Sequence, residues 1–271
     1  MNKKECIIVT GATRGLGLDF CEYISKLKWN IILIDISASA FKVYKENKKI
    51  SDIKKKLYNN NELHFFYGDL TIEKNVKRIF KQIKKTRLLP IGLVNFAGGD
   101  IKGNDNKAKG GKANNNNLFI SEKDFRNIYN RNYYSTLFMC REYINFLKKY
   151  KKGKIVNISS ISGTYGVENE FAYSSAKSNI IYLTRSFAQY ARKFNIKVNC
   201  VAPCGTSSAR FLKTIEKRGK KDLLRLKKRG LDGFATPNDV SKVVYFLISE
   251  LSDFVSGQII RIDGGENSSP L

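Results

Sequence analysis

Asn132, Ser160, Tyr173 and Lys177 are the side chains whose types and spacing suggest chemistry in this chain. Three of them fall in two short stretches, Ile155-Val-Asn-Ile-Ser-Ser160 and Tyr173-Ser-Ser-Ala-Lys177, with Ser160 thirteen residues ahead of the tyrosine. On a helix, the i, i+4 spacing of Tyr173 and Lys177 puts both on one face. A phenol ordinarily titrates at about 10, and a neighbouring ammonium lowers that value by favouring the phenolate. Tyr173 can then act as a general acid or base near neutral pH, while the Ser160 hydroxyl donates to a substrate oxygen whose charge changes during reaction. A Tyr-x-x-x-Lys pair alone also fits an ordinary amphipathic helix, so the surrounding elements decide between the two.

Those elements alternate. Apolar runs at about 6–9, 31–34, 63–67, 91–96, 154–158, 196–201 and 258–262 read as strands, separated by helical segments near 16–28, 72–85, 121–149, 171–193 and 237–249. The alternation predicts an α/β fold, a single-domain doubly wound Rossmann architecture over residues 1–271 with a seven-stranded parallel sheet and helices on both faces. Ligands of such sheets bind outside the carboxyl ends of the strands. Thr10, Asp35, Asp69, Gly98, Ser160 and Pro203 all follow strand ends, so the candidate residues converge on one edge.

The first of these turns reads Cys6-Ile-Ile-Val-Thr-Gly11-Ala-Thr-Arg-Gly15-Leu-Gly17. A strand, a glycine turn and a helix start form a dinucleotide-binding loop, because glycines let the backbone approach a pyrophosphate resting on the helix N-terminus. The spacing here is Gly-x-x-x-Gly-x-Gly. Eighteen residues after Gly17, the second apolar run ends at Asp35. Its carboxylate can accept hydrogen bonds from the adenosine ribose and would repel a 2′-phosphate, which favours NAD(H) over NADP(H).

With these features the chain resembles the short-chain dehydrogenase/reductase family, from about residue 5 to 266. The family's Thr-Gly-x-x-x-Gly-x-Gly stands here as Thr10, Gly11, Gly15 and Gly17, and its tetrad falls on Asn132, Ser160, Tyr173 and Lys177 with the separations of 28 and 13 residues intact. Its adenine-contacting Asp looks like Asp69 in Tyr67-Gly-Asp-Leu-Thr71, and its Pro-Gly stretch is similar to Val201-Ala-Pro-Cys-Gly-Thr206. Phe254-Val-Ser-Gly-Gln258 with Asp263-Gly-Gly265 is similar to its C-terminal signature. The resemblance implies an oxidoreductase that interconverts a secondary alcohol and a ketone, with Tyr173 moving the proton and Ser160 holding the oxygen. Lys177 would hold the nicotinamide ribose, and Asn132 would anchor a water in the proton relay. The dinucleotide would lie against Gly11, Thr13, Arg14, Gly15, Leu16 and Gly17, then against Asp35, Asp69, Leu70, Ala97 and Gly98. Beyond these it would meet Tyr173, Lys177, Pro203 and Ser208, the last at the position that touches the carboxamide. Arg14 is of the kind that binds a 2′-phosphate in NADP-using relatives, which keeps NADP(H) as the second candidate. Helices 121–149 and 171–193 form the dimer faces of similar proteins, implying a homodimer or homotetramer in which Tyr182, Phe187 and Tyr190 face either a partner or the sheet.

The chain departs from the family pattern in three places. Asn-Asn-Ala-Gly reads Asn95-Phe96-Ala97-Gly98, with Phe in place of a strand-tying Asn, and Cys204 replaces the Gly of Pro-Gly. Between Gly98 and Asn132 the chain is about a dozen residues longer than typical members, and the polar stretch Lys102–Asn117 within the insertion at about 100–117 is too glycine-rich to pack. It reads as a mobile surface loop, either a neutral insertion or a flap. The substrate lid at about 206–232 crowds Arg210, Lys213, Lys217, Arg218, Lys220, Lys221, Arg225, Lys227, Lys228 and Arg229 into one segment. A basic lid suits an anionic small molecule such as an acidic sugar, a phosphorylated group or an acyl thioester. That admits an NADPH-dependent 3-oxoacyl thioester reductase as a rival to the alcohol dehydrogenase reading, whose substrate could also be apolar. From a different class, the fold could serve a dinucleotide sensor or a nucleic-acid-binding protein.

Composition narrows these readings. The net charge of +25 attracts polyanions in general, but the lysines are scattered among asparagines, which reads as solvated surface and predicts no specific nucleic acid partner. Without about 18 consecutive apolar residues no membrane span is expected. The N-terminus leads directly into the first strand, which leaves no room for a targeting peptide and predicts a cytoplasmic protein. The five cysteines, Cys6, Cys21, Cys140, Cys200 and Cys204, are odd in number and lack paired spacing, so they read as reduced thiols with no metal site. Cys6, Cys140 and Cys200 read as small core residues, whereas Cys204 borders the expected nicotinamide position and is a candidate for reaction with electrophiles. The single histidine, His64, fits edge-of-strand packing.

Overall fold

The computed structural model describes residues 3–36, 53–58, 61–100, 116–214, 220–228 and 230–267. Continuous apolar runs buried on both faces form the first two strands, β1 (Lys4–Thr10) and β2 (Asn30–Asp35). They are followed by β3 (Leu63–Tyr67), β4 (Leu88–Asn95), β5 (Gly153–Ile158), β6 (Ile196–Pro203) and β7 (Ile259–Ile262). All pairings are parallel and the order is β3-β2-β1-β4-β5-β6-β7, as the alternation predicts. Chain direction across the sheet reverses between β1 and β4, and the crevice of a doubly wound fold opens at that switch point.

The two-residue period of a strand divides the core. Cys6 and Ile8 face one side, where they meet Val76, Ile79, Phe80 and Ile83 of α2 (Glu73–Lys84) and Met139 and Tyr143 of α4 (Ser135–Leu147). Ile7 and Val9 face the other side, against Leu18, Phe20 and Ile24 of α1 (Gly15–Ser25) and Val240 and Val244 of α8 (Pro237–Ile248). The i, i+3, i+4, i+7 spacing of the α2 residues gives that helix its single apolar stripe. On α5 (Phe171–Ala191), Tyr182 and Tyr190 are exposed, whereas Phe187 packs against the core cluster beneath the sheet.

The structure departs from the expected elements in three places. The helix expected over 121–149 is α3 (Glu122–Tyr129), a π-helical turn at Asn130–Tyr134 and then α4. Strand β4 starts at Leu88, three residues earlier than the apolar run suggests, and takes in Pro90. Proline cannot donate to a ladder, and its presence in this central strand coincides with a register shift opposite Cys6 and Ile7. The lid region contains α6 (Ala209–Thr214) and α7 (Lys220–Leu226). Most of the polar insertion, along with Lys217, Arg218 and Arg229 of the lid, lies outside the described residues.

Buried polar groups tie the sheet to α5. Asn95 and Asn157 are register partners on β4 and β5, and Asn95 Nδ2 donates to Asn157 Oδ1 at 2.9 Å. Asn157 Nδ2 donates in turn to Thr184 Oγ1 at 3.0 Å. The tie therefore runs through Asn95, while Phe96 turns its ring toward Phe20 of α1, with centroids 5.7 Å apart. Replacing Asn157 with Ala removes both of these bonds and the acceptor of Cys140 Sγ, so Asn157→Ala is expected to lower unfolding free energy by about 2–4 kcal/mol, read from urea denaturation.

Candidate active site

The carboxyl ends of the strands frame a cavity of about 390 Å³. At one end lies the glycine turn. Gly11 and Gly15 have φ of +61° and +58°, a region that disfavours other residues. A Cβ on Gly17 would stand 2.3 Å from the Gly11 carbonyl oxygen, so the first turn of α1 sits directly on the loop. A Cβ on Gly15 would meet nothing within 4 Å, and that bare backbone lines the cavity at the helix N-terminus. Such a surface fits a diphosphate. Thr10 Oγ1 accepts from Ala97 N at 3.1 Å and couples this loop to the one after β4.

Gly11, Arg14, Gly15, Leu16 and Gly17 line the cavity, as do Asp35, Asp69 and Leu70. Ala97, Gly98, Pro203 and Ser208 line it as well. Thr13 does not. It is almost fully buried, and its hydroxyl and amide donate to Asp35 Oδ2 at 2.6 and 3.0 Å. Thr13 orients the carboxylate from behind. Asp35 Oδ1 accepts from Ile36 N at 2.7 Å. Asp69 Oδ1 is similarly held by the amide and hydroxyl of Thr71. Ser208 Oγ accepts from Phe211 N at 3.3 Å, so its hydroxyl also serves the start of α6.

At the other end, Ser160, Tyr173 and Lys177 meet in the cavity. Tyr173 and Lys177 lie within the first two turns of α5, and Lys177 Nζ is 5.6 Å from the Tyr173 ring centroid. The ammonium is 4% exposed and donates to the Ile158 carbonyl at 2.8 Å, which fixes it to the end of β5. Ser159 Oγ donates to the Lys177 carbonyl at 2.8 Å and secures the same helix turn. Ser160 Oγ accepts from Ser162 N at 3.2 Å. A Cβ on Gly163 would come within 2.7 Å of the Lys177 carbonyl carbon, so only glycine lets the turn after Ser160 lie flush on α5.

Asn132 stands apart from the other three. It is fully buried in the π turn and does not line the cavity. Its Oδ1 accepts from Gly99 N at 2.8 Å, and its Nδ2 donates to Ile128 O at 2.7 Å and Gly99 O at 3.2 Å. Its carboxamide thus holds the cavity wall. π turns of this kind recur at functional sites.

Residue spacing did not reveal Asp100, Arg131, Ser162 and Glu170, which also line the cavity. Ser162 Oγ donates to Glu170 Oε2 at 2.7 Å. Their signal was proximity to the tetrad: Arg131 precedes Asn132, Ser162 follows Ser160 by two residues and Glu170 precedes Tyr173 by three. Of the basic lid, only some side chains fall among the described residues. Lys220, Lys227 and Lys228 are exposed, and none of them lines the cavity. Arg225 forms a bidentate pair with Glu266 at 2.9 and 2.8 Å and lies 4.8 Å from the Phe234 ring centroid. His64 Nε2 lies 2.9 Å from Glu62 Oε2 on the edge strand.

The sequence matches the family model for short chain dehydrogenases over residues 5–219. It is 33% identical over 146 residues to a 3-oxoacyl-[acyl-carrier-protein] reductase (FabG) of Thermotoga maritima, a match covering 54% of this chain and 58% of that one, so it spans little more than half of that relative's length. It is 28% identical over 267 residues to a cyclohexanol dehydrogenase of a Rhodococcus species, covering 95% of this chain and 94% of that one. Among solved structures, ElxO with NADP bound superposes with a TM-score of 0.80 at 28% identity, over 98% of this chain and 100% of that one. No described helix is long and apolar enough to cross a membrane.

Cys204 lines the cavity, and burial raises its thiol above the ordinary value. Burial likewise pushes Cys140 and Cys200 up to about 12. A raised value leaves the thiol protonated at neutral pH, and the thiolate is the nucleophile. Iodoacetamide at pH 7.5 should therefore modify Cys204 more slowly than free cysteine, with the rate climbing as pH rises; mass spectrometry against a Cys204→Ser control reads this.

Proposed function

The chain belongs to the short-chain dehydrogenase/reductase family, and on that premise we propose that it is an NAD(H)-dependent oxidoreductase interconverting a secondary alcohol and a ketone. The observation that carries the reading is the meeting of Ser160, Tyr173 and a buried Lys177 ammonium in one cavity with the glycine turn. Gly11, Gly15 and Gly17 would hold the diphosphate, Asp35 the adenosine ribose, Asp69 and Leu70 the adenine, and Lys177, Pro203 and Ser208 the nicotinamide end. Bound there, the nicotinamide supplies the hydride acceptor for oxidation and the donor for reduction.

The protein's own part is to orient the substrate and move the proton. Ser160 donates to the substrate oxygen and sets the carbinol carbon in place. As hydride leaves that carbon, Tyr173 takes the proton from its oxygen; reduction runs the same transfers backward. The Lys177 ammonium, fixed at the Ile158 carbonyl, stabilises negative charge on the phenol oxygen between transfers. Asn132 holds the Gly98–Gly99 wall against which the reacting groups are placed.

Asp100, Glu170 and Arg131 border this end of the cavity, and Lys220, Lys227 and Lys228 of the lid do not line it. A lining with both signs of charge suits a substrate bound through hydrogen bonds, neutral or anionic. A second reading, an NADPH-dependent 3-oxoacyl thioester reductase, draws support from the Thermotoga maritima relative and from Arg14 in the cavity wall. Initial rates with neutral secondary alcohols and with acyl thioesters separate the two, and faster turnover of thioesters with NADPH would replace the first reading with the second.

Tyr173→Phe should lower kcat/KM by about 10²–10⁴, while dinucleotide affinity, read by fluorescence titration, stays within a few fold; an active variant would sink the proton-transfer role. Removing the charge that opposes a 2′-phosphate should shift the ratio of NADPH to NADH efficiency in Asp35→Ala by about tenfold or more toward NADPH, measured by steady-state kinetics with each dinucleotide.

A further inference from the structure

A helix starts with amides that have no partner within it, and those of α5 matter because Tyr173 is its third residue and Lys177 its seventh. Glu170, the residue in the capping position, makes no side-chain cap bond to these amides. The partners come from a residue more than fifty positions earlier. Asn116 is 4% exposed; its carbonyl accepts from Phe171 N at 3.0 Å and its Oδ1 accepts from Ala172 N at 3.0 Å. Its Nδ2 donates to Asp100 Oδ1 at 2.9 Å.

This places Asn116 at the junction of two parts of the site. Asp100 lines the cavity and follows Gly99, whose amide is held by Asn132. Hydrogen bonds and the peptide link between Gly99 and Asp100 therefore connect Asn132 through Asn116 to the amides beside Tyr173. Packing supports the same turn, because the fully buried Ala172 sits on Ile128 of α3, with Ile120, Phe125 and Tyr173 against them. An apolar contact of this kind resists separation but sets no direction. Two hydrogen bonds to consecutive amides fix both the rotation and the height of the turn.

We propose that Asn116 is a positioning residue for proton transfer: by capping α5 from outside the helix, it sets Tyr173 at the reacting oxygen. The proposal rests on the role given to Tyr173 above. Loss of the cap lets the first turn of α5 fray, which slows the chemical step and leaves the dinucleotide contacts of the glycine turn and Asp35 in place. A positioning loss of this kind appears in kcat rather than in cofactor affinity.

The test compares Asn116→Ala with Asn116→Asp in the full-length protein, below the melting temperature of each. Asn116→Ala should lower kcat about 10–100-fold while dinucleotide affinity by fluorescence titration changes less than about threefold. Asn116→Asp keeps an oxygen for Ala172 N, and a proton shared with Asp100 replaces the lost Nδ2 bond, so its kcat should stand at least about threefold above that of Asn116→Ala at the same pH. A parent-like kcat in Asn116→Ala, or an Asp variant as impaired as the Ala variant, overturns the proposal. If Asn116→Ala does not fold, the milder Asn116→Ser should speed amide hydrogen exchange over residues 171–177 and lower kcat together; faster exchange with unchanged kcat overturns it equally. Activity surviving in Tyr173→Phe would instead remove the reading beneath the proposal, so the two failures are told apart.

Discussion

Water cannot reach the side chain of Asn132, and the cavity wall depends on how that buried carboxamide is satisfied. A buried amide must find partners within the chain, and this one takes the amide and carbonyl of Gly99 and the carbonyl of Ile128. The outgoing end of β4 is thereby drawn so close that a Cβ on Gly98 would lie 2.6 Å from Asn132 Oδ1. The same imagined carbon would be 3.5 Å from Lys177 Nζ, an ordinary contact, so it is the carboxamide and not the ammonium that requires glycine there. The π turn contributes an extra residue between α3 and α4, which rotates their faces relative to each other by about 100°, one residue's share of a turn.

The opposite wall is arranged by the same means. Burying an ammonium is costly unless its donors are engaged, and Lys177 donates to the carbonyl at the end of β5. Ser159 adds a bond to the helix backbone, and the Asn95–Asn157–Thr184 chain fixes α5 two turns further along. Apolar packing holds the helices on the sheet, but it tolerates sliding and rotation. The directional bonds at the strand ends define the helix position finely enough for proton transfer.

Much of this was legible in the sequence. Seven apolar runs located seven strands because parallel strands buried on both faces need uninterrupted apolar text, and the tetrad and glycine turn announced themselves by spacing. What escaped depended on contacts between distant segments. The π turn changes the bonding of a helix without changing its apolar pattern, so 121–149 read as one helix. The fourth apolar run marked only 91–96, whereas a register shift lets β4 begin at Leu88 and take in Pro90. Thr13 and Asn132 lie on motif positions, but their side chains turn away from the cavity to hold it, a distinction that spacing cannot make. The lid lysines were visible as charge, whereas their direction depended on a fold that points Lys220, Lys227 and Lys228 outward.

The two bonds from Thr13 to Asp35 bear on molecular choice. A carboxylate on a loop surface can swing aside to admit a bulky anionic group, and its repulsion is then partly relieved by movement. Here one oxygen is held by the hydroxyl and amide of Thr13 and the other by Ile36 N. The charge is stationary before any ligand arrives. Little conformational entropy remains to be lost when a ribose docks against it, and an incoming phosphate would meet a fixed opponent. On the proposed reading of Asp35, discrimination there would be a matter of rigidity as much as of sign.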